Sequence, residues 1–177
     1  MTIASYSCPV CAATYCADRS LWRCACGSHL NLAPGGGLAR SEIALSEASL
    51  WRYAAALALQ GPPRVTLGEG WTPLVPREWQ GAKVHFKLES QMPSGSFKDR
   101  GTALMINHLL EVGVGPVHED SSGNAGASIA TYAAIAGVPS AFSCQLQPRA
   151  PSWCRSRSRV QLCAPFPEPA KTSPRQR

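Results

Sequence analysis

A lysine that follows a short loop of serine and glycine residues is the first candidate for chemistry in this sequence. The loop, Ser90 to Gly95, leads into a predicted helix with Ser96 as its N-cap and Asp99 in a capping-box-like position, running to about Glu111. Lys98 would lie in the first turn, where the helix dipole and partial burial both disfavour the ammonium form. A lysine that loses its proton near neutral pH can form a Schiff base. The alternative is an ordinary solvated charge.

A second loop of small residues, Ser121 to Gly126, follows a short predicted strand at Val114 to Glu119 and opens another predicted helix through Ile135. Hydroxyl groups and backbone N–H groups at a helix N-terminus favour an anion such as a carboxylate. A Ser/Gly loop is also a common plain turn, so the spacing alone leaves both interpretations open.

Cysteines near the start of the chain form a candidate metal site. Cys8 and Cys11 are a C-x2-C pair, whereas Cys24 and Cys26 are a C-x-C pair, and Cys16 has no evident role. Four thiolates can close a tetrahedral zinc site, although the short second spacing also fits free or degenerate cysteines. The first residues have neither a basic start nor an apolar stretch, so we expect a cytoplasmic protein in which metal is favoured over disulfides.

The pattern along the chain predicts an α/β protein with a small front module. Pro34 to Gly37 is a joint, a packing helix is predicted from Ser41 to about Leu59, and alternation at Val84–Leu88 predicts a strand before the lysine loop. Strand, loop and helix in succession build sites at the carboxyl ends of strands. The expected divisions are a zinc-ribbon-like module at 1–32, a linker and helix at 33–64, part of a catalytic domain at 65–141, and a tail at 142–177.

The net charge of +6 is misleading because of where the charges lie. Residues 1–141 carry ten basic and ten acidic residues, whereas residues 142–177 carry seven basic and one acidic. The excess therefore lies in the tail, which argues against a nucleic-acid-binding body. No apolar run approaches the roughly 18 residues that span a bilayer, so we expect no membrane segment.

Three segments, in this order, resemble the threonine synthase family. They are Leu67-Gly-Glu-Gly-Trp-Thr-Pro-Leu74, Lys87-Leu-Glu-Ser-Gln-Met-Pro-Ser-Gly-Ser-Phe-Lys-Asp-Arg-Gly101 and Glu119-Asp-Ser-Ser-Gly-Asn-Ala-Gly126. The front cysteines and Ser49-Leu-Trp-Arg-Tyr53 resemble the N-terminal region of many members. The likeness covers about Ser5 to Ala141, and the hexamer Ser96 to Gly101 is the most specific part. Met92 departs from the family's usual asparagine, which is expected to loosen the loop before Lys98.

The resemblance implies an incomplete three-layer αβα domain of fold type II that uses pyridoxal 5′-phosphate (PLP). The reaction would convert O-phosphohomoserine and water into threonine and phosphate, and the full-length form is compatible with a homo-oligomer. Lys98 would hold the cofactor and move protons, Asn124 would hydrogen-bond the phenolic oxygen of PLP, and Phe97 would pack beside it. The substrate carboxylate and phosphate would meet the remaining residues: Ser121, Ser122, Ala125, Gly126, Ser94 and Ser96.

The tail, Phe142 to Arg177, departs from the family pattern. Its prolines, charge and lack of period predict disorder, and back-translation in a shifted frame restores a family-like continuation, so we expect an out-of-frame tail and an inactive truncated chain. The loop for the PLP phosphate and the partner of the pyridine nitrogen would then lie beyond the break. The alternatives are another PLP lyase, such as a threonine dehydratase or diaminopropionate ammonia-lyase, and a non-catalytic zinc module with a basic tail.

Overall fold

A computed structural model describes residues 5–17, 21–34, 37–113, 115–121, 123–143 and 161–162. Its regular elements are two α-helices, eight short strands and three 3-10 segments. The strands are β1 Ser5–Ser7, β2 Thr14–Cys16, β3 Asn31–Leu32, β4 Leu74–Trp79, β5 Ala82–Lys87, β6 Val117–Asp120, β7 Ser140–Ser143 and β8 Gln161–Leu162; the helices are α1 Asp99–Val112 and α2 Asn124–Ala136; the 3-10 segments are Arg40–Glu42, Leu50–Ala56 and Glu89–Gln91.

The front module is a three-stranded antiparallel sheet in the order β2-β1-β3. Two tight turns extend from it, closed by hydrogen bonds from the Cys8 N–H to the Ala13 carbonyl (2.9 Å) and from the Cys24 N–H to the Ser28 carbonyl (2.8 Å). A module this small has little core of its own, so its turns depend on local bonds and on any metal they hold. The Tyr6 hydroxyl lies 3.2 Å from Nε2 of His108, which ties the module to α1.

The helix predicted from Ser41 to Leu59 does not form, and that prediction was wrong. The segment instead contains two 3-10 pieces, with Ser49 as the cap of the second. The Leu50 N–H donates to the Glu69 carbonyl at 2.6 Å, a contact that competes with α-helical bonding. Gly70 permits this approach, because a Cβ there would lie 2.5 Å from the Leu50 nitrogen.

Strands β4 and β5 form an antiparallel hairpin with Leu74 opposite Lys87 and Trp79 opposite Ala82. The turn residues Gln80 and Gly81 both have positive φ, 50° and 79°, as the two-residue hairpin turn matching strand twist requires. The strand expected at Val84–Leu88 is confirmed as β5, which begins two residues earlier. Its partner β4, with Pro76 within it, was not predicted.

The second half has the expected strand–helix alternation. The helix predicted after the lysine loop is confirmed as α1, but it begins at Asp99 rather than behind a Ser96 cap. Strands β6 and β7 are parallel and α2 connects them, so the mixed α/β class is confirmed. Both helices end at a glycine in the left-handed conformation, Gly113 and Gly137.

Strand β7 reaches beyond Ala141 into the segment expected to be disordered. The backbones of Phe142 and Ser143 pair with β6, and β8 pairs antiparallel with β7, so the expectation of disorder does not hold for these residues. Their backbone N–H and carbonyl groups are held by the sheet, whatever the composition around them. The rest of the predicted tail lies outside the described residues.

The core lies between the 3-10 segment at Leu50–Ala56 and the two helices. The 3-10 segment and α2 each contribute one aromatic ring to it. The buried side chains of the core are Trp51, Val65, Ala103, Ile106, Tyr132, Ala133 and Val138. The fully buried Glu69 carboxylate accepts bonds from the Trp51 ring N–H at 2.7 Å, the Leu67 N–H at 2.8 Å and the Tyr132 hydroxyl at 3.0 Å. Neither helix in the described part of the chain is long and apolar enough to cross a membrane.

We expect the substitution Tyr132→Phe to destabilise the fold by about 1–3 kcal/mol, because it removes one donor from a buried carboxylate while preserving the ring. The midpoint and slope of urea unfolding give the measurement. Tyr53→Phe, at a ring that is 40% exposed, serves as the matched control. Equal stabilities for the two variants would show that the Tyr132 bond is not needed.

Candidate functional site

The aspartate after the candidate lysine organises the site. Asp99 is completely buried, and its carboxylate accepts bonds from the Ser94 N–H at 2.7 Å, from the Ser94 hydroxyl, and from the Ser128 hydroxyl at 2.5 Å. The first two bonds fold the loop back onto the start of α1. The third bond joins the start of α1 to α2, so one side chain positions both loops that the sequence singled out.

Lys98 stands immediately before α1, and its carbonyl accepts the Thr102 N–H as the helix begins. Its side chain is exposed, so the partial burial expected from sequence was wrong. The reason is its place at the end of the helix, where no neighbouring element of the described chain covers it. Nζ lies 4.8 Å from the centroid of the Phe97 ring, itself 55% exposed, so an accessible amine stands beside an accessible aromatic surface.

The two loop serines before Lys98 differ in their bonding. Ser94 donates both its N–H and its hydroxyl to Asp99, so it holds the loop. Ser96 is buried, and its Oγ has no hydrogen-bond partner within the described residues. It is not the side-chain cap that the sequence predicted; its carbonyl receives the Asp99 N–H at 3.3 Å. A buried hydroxyl without a partner is unfavourable unless something else binds it.

The second loop forms the N-terminus of α2. Ser121 Oγ accepts the N–H groups of Gly123 at 3.3 Å and Gly126 at 3.2 Å, which fixes the loop across the helix end. Asn124 is the first residue of α2 and is exposed, while Ala125 is half-buried behind it. Ser122 lies outside the described residues.

The structure brings these two loops to one end of the helix pair. Lys98 directly precedes Asp99, and Ser128 lies one helical turn after Asn124, so the Asp99–Ser128 bond places the two helix N-termini side by side. A primary amine and two helix ends suit a ligand with a carbonyl group and negative charge.

An ion pair close to this end was not anticipated from sequence. Arg100 binds Glu89 through two bonds of 2.8 Å, and the Thr72 hydroxyl donates to the same carboxylate at 2.6 Å. The Arg100 guanidinium chiefly holds the pKa of Glu89 down, to about 2. The only signal in the sequence was the presence of both charges in the resembling segment, which does not identify them as partners.

The front cysteines converge as predicted from their pairing. The sulfur atoms of Cys8, Cys11, Cys24 and Cys26 all lie within 4.8 Å of one another, with Cys11 to Cys24 at 3.4 Å and Cys8 to Cys26 at 3.6 Å. The Tyr15 hydroxyl lies 3.1 Å from Cys24 Sγ, and this bond chiefly lowers the Cys24 pKa, to about 6. Tyr15 was not anticipated as part of the cluster.

Comparison with known families identifies the class. The sequence profile described as "Pyridoxal-phosphate dependent enzyme" matches residues 65–156, which is just over half of the chain. The chain therefore belongs to the pyridoxal-phosphate dependent enzyme family. The match covers both loops of the site and ends fifteen residues beyond Ala141.

Curated relatives indicate which pyridoxal-phosphate dependent enzymes this chain resembles. The chain is 33% identical to a threonine synthase of Methanosarcina acetivorans over 141 residues, covering 75% of this chain and 35% of that protein. It is 47% identical over 78 residues to a threonine synthase of Mycobacterium leprae, covering 42% of this chain and 22% of that protein. The predicted resemblance to threonine synthases is thus confirmed. The chain spans about a third or less of the length of these relatives, and no solved structure matches it significantly.

The Glu89–Arg100 pair gives a prediction about pH. Because the folded-state pKa of Glu89 is depressed, its stabilisation is complete above the ordinary value of 4.5 and disappears as the pH falls toward about 2. We expect the stability difference between the native chain and Glu89→Gln to shrink across that interval in urea unfolding. Glu78→Gln on the exposed hairpin is the control. A Glu89→Gln difference that stays constant through the interval would contradict the assignment.

Proposed function

We propose that this chain carries the cofactor-anchoring part of a threonine synthase-like lyase, which converts O-phosphohomoserine and water into threonine and phosphate. The observation that carries the proposal is the Asp99–Ser128 bond, which joins the residue after Lys98 to the N-terminal part of α2. Family membership supports PLP as the cofactor, and the fold would be the incomplete fold type II domain expected from sequence.

The residues at this end fit PLP by their chemistry. Lys98 offers an accessible amine to the aldehyde carbon, and Phe97 offers a ring face beside it. Asn124, exposed at the first position of α2, would donate to the phenolic oxygen. When bound, PLP supplies an electron sink for the substrate's carbon atoms. Lys98 would then carry protons to and from those atoms, because its amine group can accept a proton and return it.

The substrate anions would meet the two loops. Ser121, Ser122 and the N–H groups of Ala125 and Gly126 would receive the carboxylate, at a helix end whose dipole favours negative charge. The Gly126 N–H, which donates to Ser121 Oγ at 3.2 Å, would exchange that acceptor for the carboxylate. The buried, unpartnered Ser96 hydroxyl supports a ligand oxygen near the lysine loop. Ser94 would act there mainly by holding Asp99 in place.

The curated relatives favour a threonine synthase over the two other PLP-dependent lyases. The curated relatives described above are threonine synthases, and the likeness to the Methanosarcina acetivorans enzyme, over 75% of this chain, includes the segment around Lys98. A threonine dehydratase or a diaminopropionate ammonia-lyase would share the PLP chemistry but release ammonia. A non-catalytic zinc module with a basic tail would need neither Lys98 nor Asn124.

The first test is covalent trapping of the cofactor. The chain is incubated with PLP, reduced with borohydride, digested and mapped by mass spectrometry. We expect the label on Lys98, because its amine stands at the paired helix ends, and we expect Lys98→Ala to lose it. Lys83→Ala, on the exposed hairpin, should keep the label. Labelling spread equally over exposed lysines would refute the site.

The same variants test the reaction in a version whose reading frame is restored after Ala141. That version should release phosphate from O-phosphohomoserine with added PLP, and Lys98→Ala should abolish the release. Ammonia from threonine, with no phosphate from O-phosphohomoserine, would replace the proposed reaction with that of a dehydratase. Phosphate release that survives Lys98→Ala would refute the role of the lysine.

We also propose that the four front cysteines bind one zinc ion. Zinc bonded to four thiolates at about 2.3 Å separates the sulfur atoms by about 3.8 Å. The observed separations of 3.4 Å and 3.6 Å are close to that value, and all four side chains belong to the ligand type that closes structural zinc sites. The Tyr15 hydroxyl would remain as an outer partner of the Cys24 sulfur.

Metal analysis of the purified chain should find one zinc per molecule. Cys24→Ser should lose the metal, because a hydroxyl replaces one of the four thiolates, and the front module should become more sensitive to proteolysis. Cys16→Ser is the matched control, since Cys16 lies on β2 outside the cluster. Full zinc content in Cys24→Ser would overturn the assignment.

A further inference from the structure

An open cleft of about 640 Å³ lies between the segment around Arg52, the start of the hairpin and the first turn of α1. Arg52, Lys87 and Arg100 contribute to its wall, together with Thr72 and Trp71. None of the residues assigned above to cofactor, substrate or zinc lines it. The cleft is therefore lined by a different set of residues from the helix ends around Lys98, and the two meet at the first turn of α1.

The cleft carries an excess of positive charge. Three cations line it, and Glu89 is the only carboxylate among the lining residues, which leaves two uncompensated positive charges. The Glu89 carboxylate already accepts hydrogen bonds from Arg100 and Thr72 at 2.6–2.8 Å. Lys87 donates to the Thr72 backbone carbonyl and forms no ion pair within the described residues, so its exposed ammonium adds positive charge to the cleft.

Arg52 is the least satisfied of these cations. Its Nε is buried and has no hydrogen-bond partner within the described residues, and the described chain gives it no ion pair. Its guanidinium lies 4.1 Å from the Trp71 ring centroid and 5.6 Å from that of Tyr53. Aromatic faces stabilise the cation but accept no N–H donor in its plane. The Nε–H is itself buried beyond the reach of a ligand, but the guanidinium lines the cleft and none of its N–H groups has an acceptor within the described residues, so its terminal N–H groups can donate to an oxyanion.

The backbone beside the cleft is held in an uncommon conformation. Trp71 has φ 50° and Gly70 has φ 105°, so the indole is directed over Arg52 by a strained turn. The stacking keeps the guanidinium in one orientation before any ligand arrives. A preoriented guanidinium loses less entropy when it binds.

We propose that this cleft binds a phosphate group, with Arg52 as the principal ligand-binding residue and Lys87 and Arg100 completing the positive field. Three cations approaching from three segments suit the several oxygens of a tetrahedral anion better than the two oxygens of a carboxylate. The shared chemistry is a phosphate dianion, from inorganic phosphate or from a small phosphate monoester. The site does not depend on the function proposed above.

Titration calorimetry of the full chain with inorganic phosphate at low ionic strength tests the site, with chloride as the competing salt. Arg52→Gln should weaken phosphate binding by about tenfold or more, as expected for a lost charged hydrogen bond. The matched control is Arg23→Gln, because Arg23 also stacks on a tryptophan, 4.5 Å from the Trp22 ring centroid, but in the front module. Arg23→Gln should bind phosphate like the native chain.

A second variant keeps the test valid if Arg52→Gln does not fold. Lys87→Gln alters an exposed side chain and should weaken binding severalfold while leaving the urea midpoint near its native value. Repeating the titration with glycerol phosphate separates the sources, since tighter binding of the ester assigns the site to a monoester and tighter inorganic phosphate assigns it to the free ion. Equal phosphate affinity in Arg52→Gln, Lys87→Gln and Arg23→Gln, or loss of binding in equimolar chloride, would overturn the proposal.

Discussion

Two buried carboxylates held by one face of α2 support the rest of this structure. Ser128 and Tyr132, one turn apart, donate to Asp99 and Glu69 respectively. Buried carboxylates are tolerated only when donors surround them. Asp99 fixes the lysine loop, and Glu69 fixes the segment around Trp51. The same helix face therefore positions the candidate site at one end and the core at the other, and burial beside Glu69 raises the Tyr132 pKa.

The start of α1 serves two surfaces at once. Lys98 and Arg100 are two residues apart, so they leave the helix on nearly opposite sides. One belongs to the exposed end beside α2, and the other lines the cleft with Arg52. The ion pair between Arg100 and Glu89 secures this first turn from the cleft side, while Asp99 secures it from the core side. The hexamer Ser96 to Gly101 is thus held by contacts on its cleft side and on its core side.

Local patterns in the sequence were sufficient for the elements that depend on local bonds. The lysine loop, α2 after its glycine-rich turn, β5 and the cysteine cluster all follow from spacing or resemblance. The helix expected at Ser41–Leu59 failed because the Leu50 N–H bonds to a residue far along the chain, which no local period reveals. The burial of Glu69 was equally hidden, since a glutamate between glycines resembles a surface turn. The exposure of Lys98 depends on which elements surround it, and a motif does not carry that information.

Gly70 connects features that otherwise look independent. Its backbone touches Leu50 where any side chain would collide, and it directly precedes the strained Trp71. The same contact seats Trp51 in the core and places Arg52 beneath the indole. A single mutation at this glycine would therefore impair folding and the charged cleft together. Almost no substitution can be tolerated at this position. The stability of the fold and the arrangement of the cleft therefore cannot evolve independently there.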